Sequence, residues 1–283
     1  MKLVTWNTQS CTGLDGRVSP ERIVREARAL ADFDVLCLQE IAVGYPALTK
    51  ESHADQAQAV ADLLPGFQVF FGAAVDEFLP DGRRARFGNL VATRLPVAQV
   101  QHHPLPYPAD PGVESMPRMC TVVTVLHPGL GPVRIMTTHL EFYSKRQRLA
   151  QARALRALHL EAFEQAQSPP RPADDGGPSG PKPHTAEAIL CGDFNAHPGT
   201  QEHAAVAETS ELGTLWDGWR LVHGDAPHTP TFCVHEQKYL PQPLAFDFVF
   251  VSDGLKDGVR RLEADTRTQA SDHQPVLLEL ADG

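Results

Sequence analysis

The 283-residue chain contains no Cys-x-x-Cys pair, no glycine-rich nucleotide loop and no apolar run of membrane-spanning length. Its five cysteines, Cys11, Cys37, Cys120, Cys191 and Cys233, are odd in number and scattered. That argues against a disulfide framework or a cysteine zinc site, and fits a reducing compartment. Without G-x-G-x-x-G or a P-loop, the commonest nucleotide cradles are excluded. The residues Lys2–Trp6 read at once as a strand, with no charged leader or apolar core of a signal segment, so a cytoplasmic protein is expected. Positive charge is scarce too. Lys and Arg number 25 against 35 Asp and Glu, a net charge of −10, so nothing announces a broad basic surface for nucleic acid, though a short basic groove stays compatible with it. The densest basic cluster, Arg83, Arg84 and Arg86, falls in Phe78–Phe87, which reads as a solvated loop.

What is present is an ordinary globular composition, 42% hydrophobic and 21% charged, in a chain long enough for one large domain over residues 1–283. Short β-rich runs recur at Leu3–Trp6, Val35–Leu38, Phe67–Phe71, Asn89–Thr93, Met119–Leu126, Val133–Thr138, Phe246–Val251 and Pro275–Leu280. The turn residues His127–Pro132 predict a hairpin. Ser19-Pro20-Glu21 is a helix start, Ala57–Leu64 is amphipathic and closed by Pro65-Gly66, and Lys145–Gln165 is the strongest helix, with Leu149, Ala152, Leu155 and Leu158 expected inward. The Pro/Gly-rich stretch 168–185 reads as a mobile surface excursion rather than a domain boundary, because strand chemistry resumes directly after it. Strands alternating with few helices and frequent hairpins predict a mixed α/β chain, its sheets packed on each other with helices outside, not a doubly wound parallel sheet.

The chain is organised around Ile189-Leu190-Cys191-Gly192-Asp193-Phe194-Asn195, an apolar strand that stops abruptly in Gly-Asp-Phe-Asn. Two apart in an extended chain, Asp193 and Asn195 can face one side, offering a carboxylate and a neutral amide. Taken alone, the heptapeptide reads equally as an Asx turn closing a strand. Other apolar runs end in polar residues as well: Asn7, Glu40, His139 and the pair Asp272-His273. Asp247 sits inside Leu244–Val251, where a carboxylate needs a partner, and a histidine is the natural one. Carboxylate and amide oxygens with few imidazoles suit Mg²⁺ or Mn²⁺, cations that share a substrate's phosphate oxygens. Histidines add hydrogen bonds or proton transfer near neutral pH.

Thr5-Trp6-Asn7, Leu38-Gln39-Glu40, Thr138-His139-Leu140, Gly192-Asp193-Phe194-Asn195 and Ser271-Asp272-His273, in this order, resemble the endonuclease/exonuclease/phosphatase superfamily, the group of deoxyribonuclease I. The resemblance runs from Thr5 to His273 and implies a four-layer α/β/β/α sandwich of two mixed sheets packed face to face, with helices outside and the active site at one edge. It implies Glu40 as principal ligand of Mg²⁺ or Mn²⁺, with Asn7 and Asp272 near the metal. Asp193 would activate the attacking water and Asn195 would steady the phosphorus centre. His273 would contact the scissile phosphate, held by Asp247, with His139 as the second histidine and Arg118 as a phosphate contact.

Two departures bear on substrate. Thr8-Gln9 follow Asn7 where abasic-site endonucleases carry a carboxylate, and Ala245-Phe246 precede Asp247 where many relatives have a basic or aliphatic pair. The function so implied is metal-dependent hydrolysis of a phosphodiester or phosphomonoester. The acidic balance favours a phosphorylated small molecule, a lipid headgroup or a short nucleic-acid end as substrate, and no obligate protein partner is evident. The alternatives are a nuclease acting on DNA or RNA ends and, in another class, a catalytically silent binding protein on the same fold. Nine further histidines, among them His203 and His228, lack ligand spacing and are assigned no role; Trp216 and Trp219 read as packing.

Overall fold

The computed structural model describes residues 1–50 and 54–281; residues 51–53, 282 and 283, part of the stretch read as one domain, lie outside the described residues. Among the described residues, twelve strands form two six-stranded sheets. The first has the order β11 (Val259–Ala264), β12 (Val276–Leu280), β1 (Lys2–Asn7), β2 (Val35–Val43), β4 (Arg84–Thr93) and β3 (Gln68–Phe78). The second has the order β5 (Val97–Pro104), β6 (Met119–His127), β7 (Gly131–His139), β8 (Ala188–Asp193), β10 (Asp247–Ser252) and β9 (Leu215–Asp217). In each sheet one central pair is parallel, β1 with β2 and β7 with β8, and every other pairing is antiparallel.

Alternation along the strands sorts the apolar side chains into three layers. Leu3, Val35, Cys37 and Val91 of the first sheet meet Val123, Ile135, Ile189 and Val249 of the second in a core between the sheets. On the outer face of the first sheet, Val4, Leu36 and Leu90 pack against Ile23 and Ala27 of α1 (Pro20–Leu30) and Val60 of α3 (Gln56–Leu63). On the outer face of the second, Val122, Leu190 and Phe250 pack against Ala152 and Leu155 of α4 (Lys145–Gln167) and Val206 of α5 (Gln201–Val206). Two short helices, α2 (Pro46–Thr49) and α6 (Gly218–His223), complete the set. The result is the four-layer α/β/β/α sandwich expected.

Local chemistry places the ends of these elements. Ser19 Oγ accepts from Arg22 N–H at 3.1 Å and Ser144 Oγ from Gln147 N–H at 3.1 Å, caps worth about 1 kcal/mol each. The hairpin at His127–Gly131 joins β6 to β7 as expected. The stretch 168–185 carries no helix or strand and joins α4 to β8, so the second sheet continues directly across it.

Two expectations need correction. Phe78–Phe87 is a loop only over residues 79–83: Phe78 closes β3 and residues 84–87 open β4, with Arg84 opposite Phe78 in register. Arg84 pairs with both oxygens of Asp76 across the ladder, which lets an exposed, charged sequence remain strand. In α4, Ala152 and Leu155 are buried as expected, but Leu149 and Leu158 are only half-buried, while Gln147, Arg148, Gln151 and His159 are buried. Three of them hydrogen-bond to main-chain carbonyls of the connections beneath, Gln147 to Pro108, Gln151 to Pro106, and Arg148 to Glu141 and Phe142, while His159 Nδ1 meets the Arg134 guanidinium at 3.1 Å.

Gly192 is fixed by contact rather than by turn chemistry. Its φ is +137°, and a Cβ there would stand 2.0 Å from the carbonyl oxygen of Thr138 on the adjacent strand. Gly192→Ala should therefore lower stability by roughly 2 kcal/mol or more, read as the urea midpoint at unchanged slope. A variant as stable as the parent would show that β7 and β8 can part at this point.

Candidate functional site

Strand direction brings the polar residues to one edge of the sandwich. β1 runs parallel to β2 and ends with Asn7 beside Gln39, where β2 is interrupted by a bulge and then continues to Val43; β7 and β8 end together, His139 beside Asp193. β10 is antiparallel to β8 and so begins at this edge, Asp247 opposite Asp193. β12 is antiparallel to β1, and Ser271–Gln274 lead into it from the same side.

The two sheets are stitched here by side-chain hydrogen bonds. Asn7 Nδ2 donates to Glu40 Oε1 at 3.0 Å within its own sheet and to Asp193 Oδ2 at 2.9 Å on the other. Gln39 Nε2 likewise donates to Thr5 Oγ1 at 3.1 Å and across to Thr137 Oγ1 at 2.9 Å. The indole of Trp6 donates to His273 O at 2.9 Å, and Ser271 Oγ donates to Asn7 O at 2.8 Å. Each residue of the opening Thr-Trp-Asn tripeptide thus positions another part of the cluster.

Two site residues adopt left-handed backbone. Glu40 (φ 61°) sits in a bulge that interrupts the β2–β4 register between Leu38 and Ile41. The bulge shifts the side-chain alternation and adds one residue before Ile41 returns to the ladder. Asn195 (φ 47°) follows Asp193, whose Oδ1 accepts the Asn195 N–H at 2.8 Å; the Asn195 amide donates to Leu140 O at 2.9 Å and lies 3.0 Å from His139 Nε2.

Behind the cluster, Asp247 Oδ2 is 2.8 Å from His273 Nδ1, and His273 Nε2 is 3.5 Å from Asp193 Oδ2. His139 Nε2 stands 3.4 Å from Asp193 Oδ2 and 3.9 Å from Glu40 Oε1. Arg118, just before β6, donates from Nε to Glu141 Oε2 at 3.2 Å, and its buried Nη1 has no hydrogen-bond partner among the described residues.

Glu40, Arg118, His139, Asp193, Asn195, Asp272 and His273 line one open cavity of about 540 Å³. Asn7 and Asp247 stand behind it as supports. Phe142, Tyr143, Phe232 and Tyr239 form an aromatic wall at its mouth, with Phe232 tilted against His273 at 4.5 Å between ring centroids.

Burial and crowding disturb the titratable groups. Burial, then the neighbouring Asp272, raises the Glu40 carboxyl; burial also raises Asp272. Asp193 is pushed up to about 7 by burial and, in smaller measure, by Asp247, although His273 pulls it down. Burial opposes charge on His273, but Asp247 and Asp193 outweigh it and hold the ring protonated. His139 is driven the other way, by burial and then by Arg118 and His273, and is neutral.

The sequence signals missed Glu141, which orients Arg118 and accepts the main-chain N–H groups of Met116 and Tyr143. They also missed Gln39 as an inter-sheet bridge, although it stands inside a recognised tripeptide. Among the unassigned histidines, His203 and His228 converge on Asp217, away from this cavity.

The Endonuclease/Exonuclease/phosphatase family matches residues 4–273, nearly the whole chain. The chain belongs to that family. Among solved structures, the endonuclease/exonuclease/phosphatase of Beutenbergia cavernae is 25% identical, with a TM-score of 0.72 over 100% of this chain and 72% of its own. The mannosyl-6-phosphatase Bt3783 of Bacteroides thetaiotaomicron is 18% identical, TM-score 0.69, covering 99% of both chains. The 3′-5′ exonuclease NExo of Neisseria meningitidis is 21% identical, TM-score 0.61, again over 99% of both. No curated protein sequence matches. Endonuclease/exonuclease/phosphatase proteins are in general hydrolases of phosphoester bonds and typically depend on a divalent metal.

The donor set fits such a cation. Three carboxylates, Glu40, Asp193 and Asp272, line one cavity, and burial and crowding make their ionisation costly unless positive charge joins them. Asn7 fits less well as a direct ligand: its Nδ2 holds two carboxylates and its Oδ1 accepts the Gln9 N–H at 3.1 Å.

The Asp193 carboxyl therefore has a consequence for stability. Its folded value of about 7 exceeds the ordinary carboxylate value near 4, so the folded state binds the extra proton between them and loses stability as pH rises through that window. Asp193→Asn sets its amide NH₂ against a donor, Asn7 Nδ2 or the Asn195 N–H, a cost that does not vary with pH, so the stability of the variant relative to the parent should rise from pH 4 to pH 8 in EDTA by on the order of 1–3 kcal/mol. His273 loses an anionic neighbour in this variant, which offsets part of the gain. Thermal melts across pH check it; a difference between variant and parent that stays constant or falls from pH 4 to pH 8 would contradict the assigned direction.

Proposed function

We propose that the protein is a Mg²⁺- or Mn²⁺-dependent phosphoesterase that hydrolyses a phosphodiester or phosphomonoester by in-line attack of water. The carrying observation is the single cavity that gathers Glu40, Asp193, Asp272, His139, His273, Asn195 and Arg118 from both sheets. The bound cation, held by Glu40 and Asp272, would polarise the phosphoryl group and stabilise charge on its oxygens and on the leaving group.

The chain's own groups do the rest. Asp193, with a proton affinity matched to neutral pH, orients the water and accepts its proton. The Asn195 amide steadies the developing phosphorane oxygens. His273, kept protonated by Asp247 at 2.8 Å, donates to a phosphate oxygen, and neutral His139 flanks the same position. Arg118 lines the cavity, is aligned by Glu141 and offers positive charge to the phosphate.

A cavity of about 540 Å³ with a chain net charge of −10 suits a phosphorylated small molecule, a lipid headgroup or a short nucleic-acid end. A long duplex would call for an extended basic track. A silent binding protein is disfavoured because every catalytic position is filled.

Hydrolysis of bis-p-nitrophenyl phosphate should require Mg²⁺ or Mn²⁺ and stop in EDTA. Asp193→Ala and His273→Ala should each lower kcat by roughly 10²–10⁴-fold with the fold intact by circular dichroism. Glu40→Ala should raise the metal concentration needed for half-maximal rate. Full activity in either of the first two, or an unchanged metal titration in the third, removes the corresponding role. A parallel screen of hexose 6-phosphates, phosphoinositides, sphingomyelin, RNA and single- and double-stranded DNA then assigns the substrate.

A further inference from the structure

A second set of convergent donors lies on the far side of Asp247. His203 on α5 places Nε2 2.9 Å from Asp217 Oδ2, and His228, between α6 and β10, places Nε2 2.8 Å from the same oxygen. The other oxygen of Asp217 accepts the Trp219 N–H at 2.9 Å, which fixes the carboxylate where edge strand β9 turns into α6. The side chains are 9%, 8% and 4% exposed, and the three donor atoms lie within 4.8 Å of one another.

We propose that His203, Asp217 and His228 bind one transition-metal cation of the zinc class, as a clasp distinct from the phosphoester cavity. Two imidazole nitrogens and one carboxylate oxygen are the donors such ions prefer, at bond lengths of about 2.0–2.2 Å, which span donor separations near 3 Å. The contrast with the oxygen-rich cavity is chemical: Mg²⁺ favours the carboxylate set, whereas nitrogen donors select Zn²⁺, Co²⁺ or Ni²⁺. The cation takes the place of the Nε2 protons, each imidazole keeping its proton on Nδ1.

The rings are already held. His203 packs against Phe248 and Phe250 at 5.0 and 5.4 Å, and His228 stacks on Trp219 at 5.4 Å. The three protein donors leave a fourth position, and beside them is a small cavity of about 10 Å³ bounded by Asp217, His228, Thr231 and Asp247, room for one water ligand.

The clasp would tie three chain segments: α5, the junction of β9 with α6, and the segment between α6 and β10. One of them leads directly to Thr231, whose Oγ1 accepts the N–H groups of Phe246 and Asp247 at 3.1 Å each, and to Phe232 against His273. A cation here would stiffen the support behind His273 without touching substrate.

The test is Zn²⁺ stoichiometry by equilibrium dialysis in excess Mg²⁺, which competes for the oxygen-rich cavity. The parent should retain one Zn²⁺ per chain. His203→Gln and His228→Gln should each lose it, and glutamine keeps an N–H donor toward Asp217 so that melts in EDTA stay near the parent's. Glu40→Gln, altered only in the phosphoester cavity, should keep it. Zn²⁺ should raise the Tm of the parent and of Glu40→Gln but not of the two histidine variants. Should either histidine variant misfold, visible Co²⁺ spectra of the parent and Glu40→Gln decide: identical imidazole-type bands in both are expected. No retained Zn²⁺ in the parent, retention in a folded histidine variant, or loss in Glu40→Gln overturns the proposal.

Discussion

The arrangement depends on one amide. Asn7 Nδ2 reaches from the first sheet to Asp193 on the second while also holding Glu40 on its own. Sheets that meet through valine, leucine and isoleucine alone pack closely but fix their relative slide only through shape. Directional bonds at the edge, from Asn7 and from Gln39 to Thr137, add a register. Buried amides are expensive without partners, so a slide by one residue would strand both. The same bonds that align the sheets therefore set the distance between Glu40 and Asp193.

Strand direction supplies the remaining geometry. The central parallel pair brings two strand ends to one edge in the second sheet, and the end of β1 with the bulge of β2 in the first, while an antiparallel neighbour returns a strand start to it. Asn7, Glu40, His139 and Asp193 come from the first kind of position; Asp247 and Ser271–His273 come from the second. This explains why residues more than 260 positions apart are in contact, as where Ser271 Oγ meets Asn7 O, a pair separated by 264 in sequence.

That logic also accounts for what could be read in advance. Polar residues stood out in the sequence where apolar runs stopped, and strand ends are where such runs stop. Gly-Asp-Phe-Asn, Leu-Gln-Glu and Ser-Asp-His were visible for that reason, and so was the layered fold, from the length and spacing of the runs. Glu141 left no such mark: it follows Leu140 in an irregular turn, and only the three-dimensional path of the chain puts Arg118 against it. The buried polar face of α4 was hidden because its partners are main-chain carbonyls, which every sequence has. His203, Asp217 and His228 come from three short segments with spacings of 14 and 11, a pattern that no helical or strand period produces. Arg84 and Arg86 misled for the opposite reason, since charge resembles a loop until the facing strand supplies Asp76.

The strained and frustrated features collect at the same edge. Glu40 and Asn195 carry left-handed backbone that a glycine would adopt more cheaply, and Glu40, Asp193 and Asp272 are carboxylates whose ionisation burial opposes. A structure selected for stability alone would relax these by replacing a carboxylate with an amide or the bulge with a regular ladder. The opposite has happened: Trp6, Ser271, Asp247 and Asn7 each contribute hydrogen bonds or contacts that hold the unfavourable groups in place. Strain that is this heavily supported is the physical mark of pre-organisation. The edge keeps negative groups close together where burial opposes their charge, a condition that a bound divalent cation would relieve.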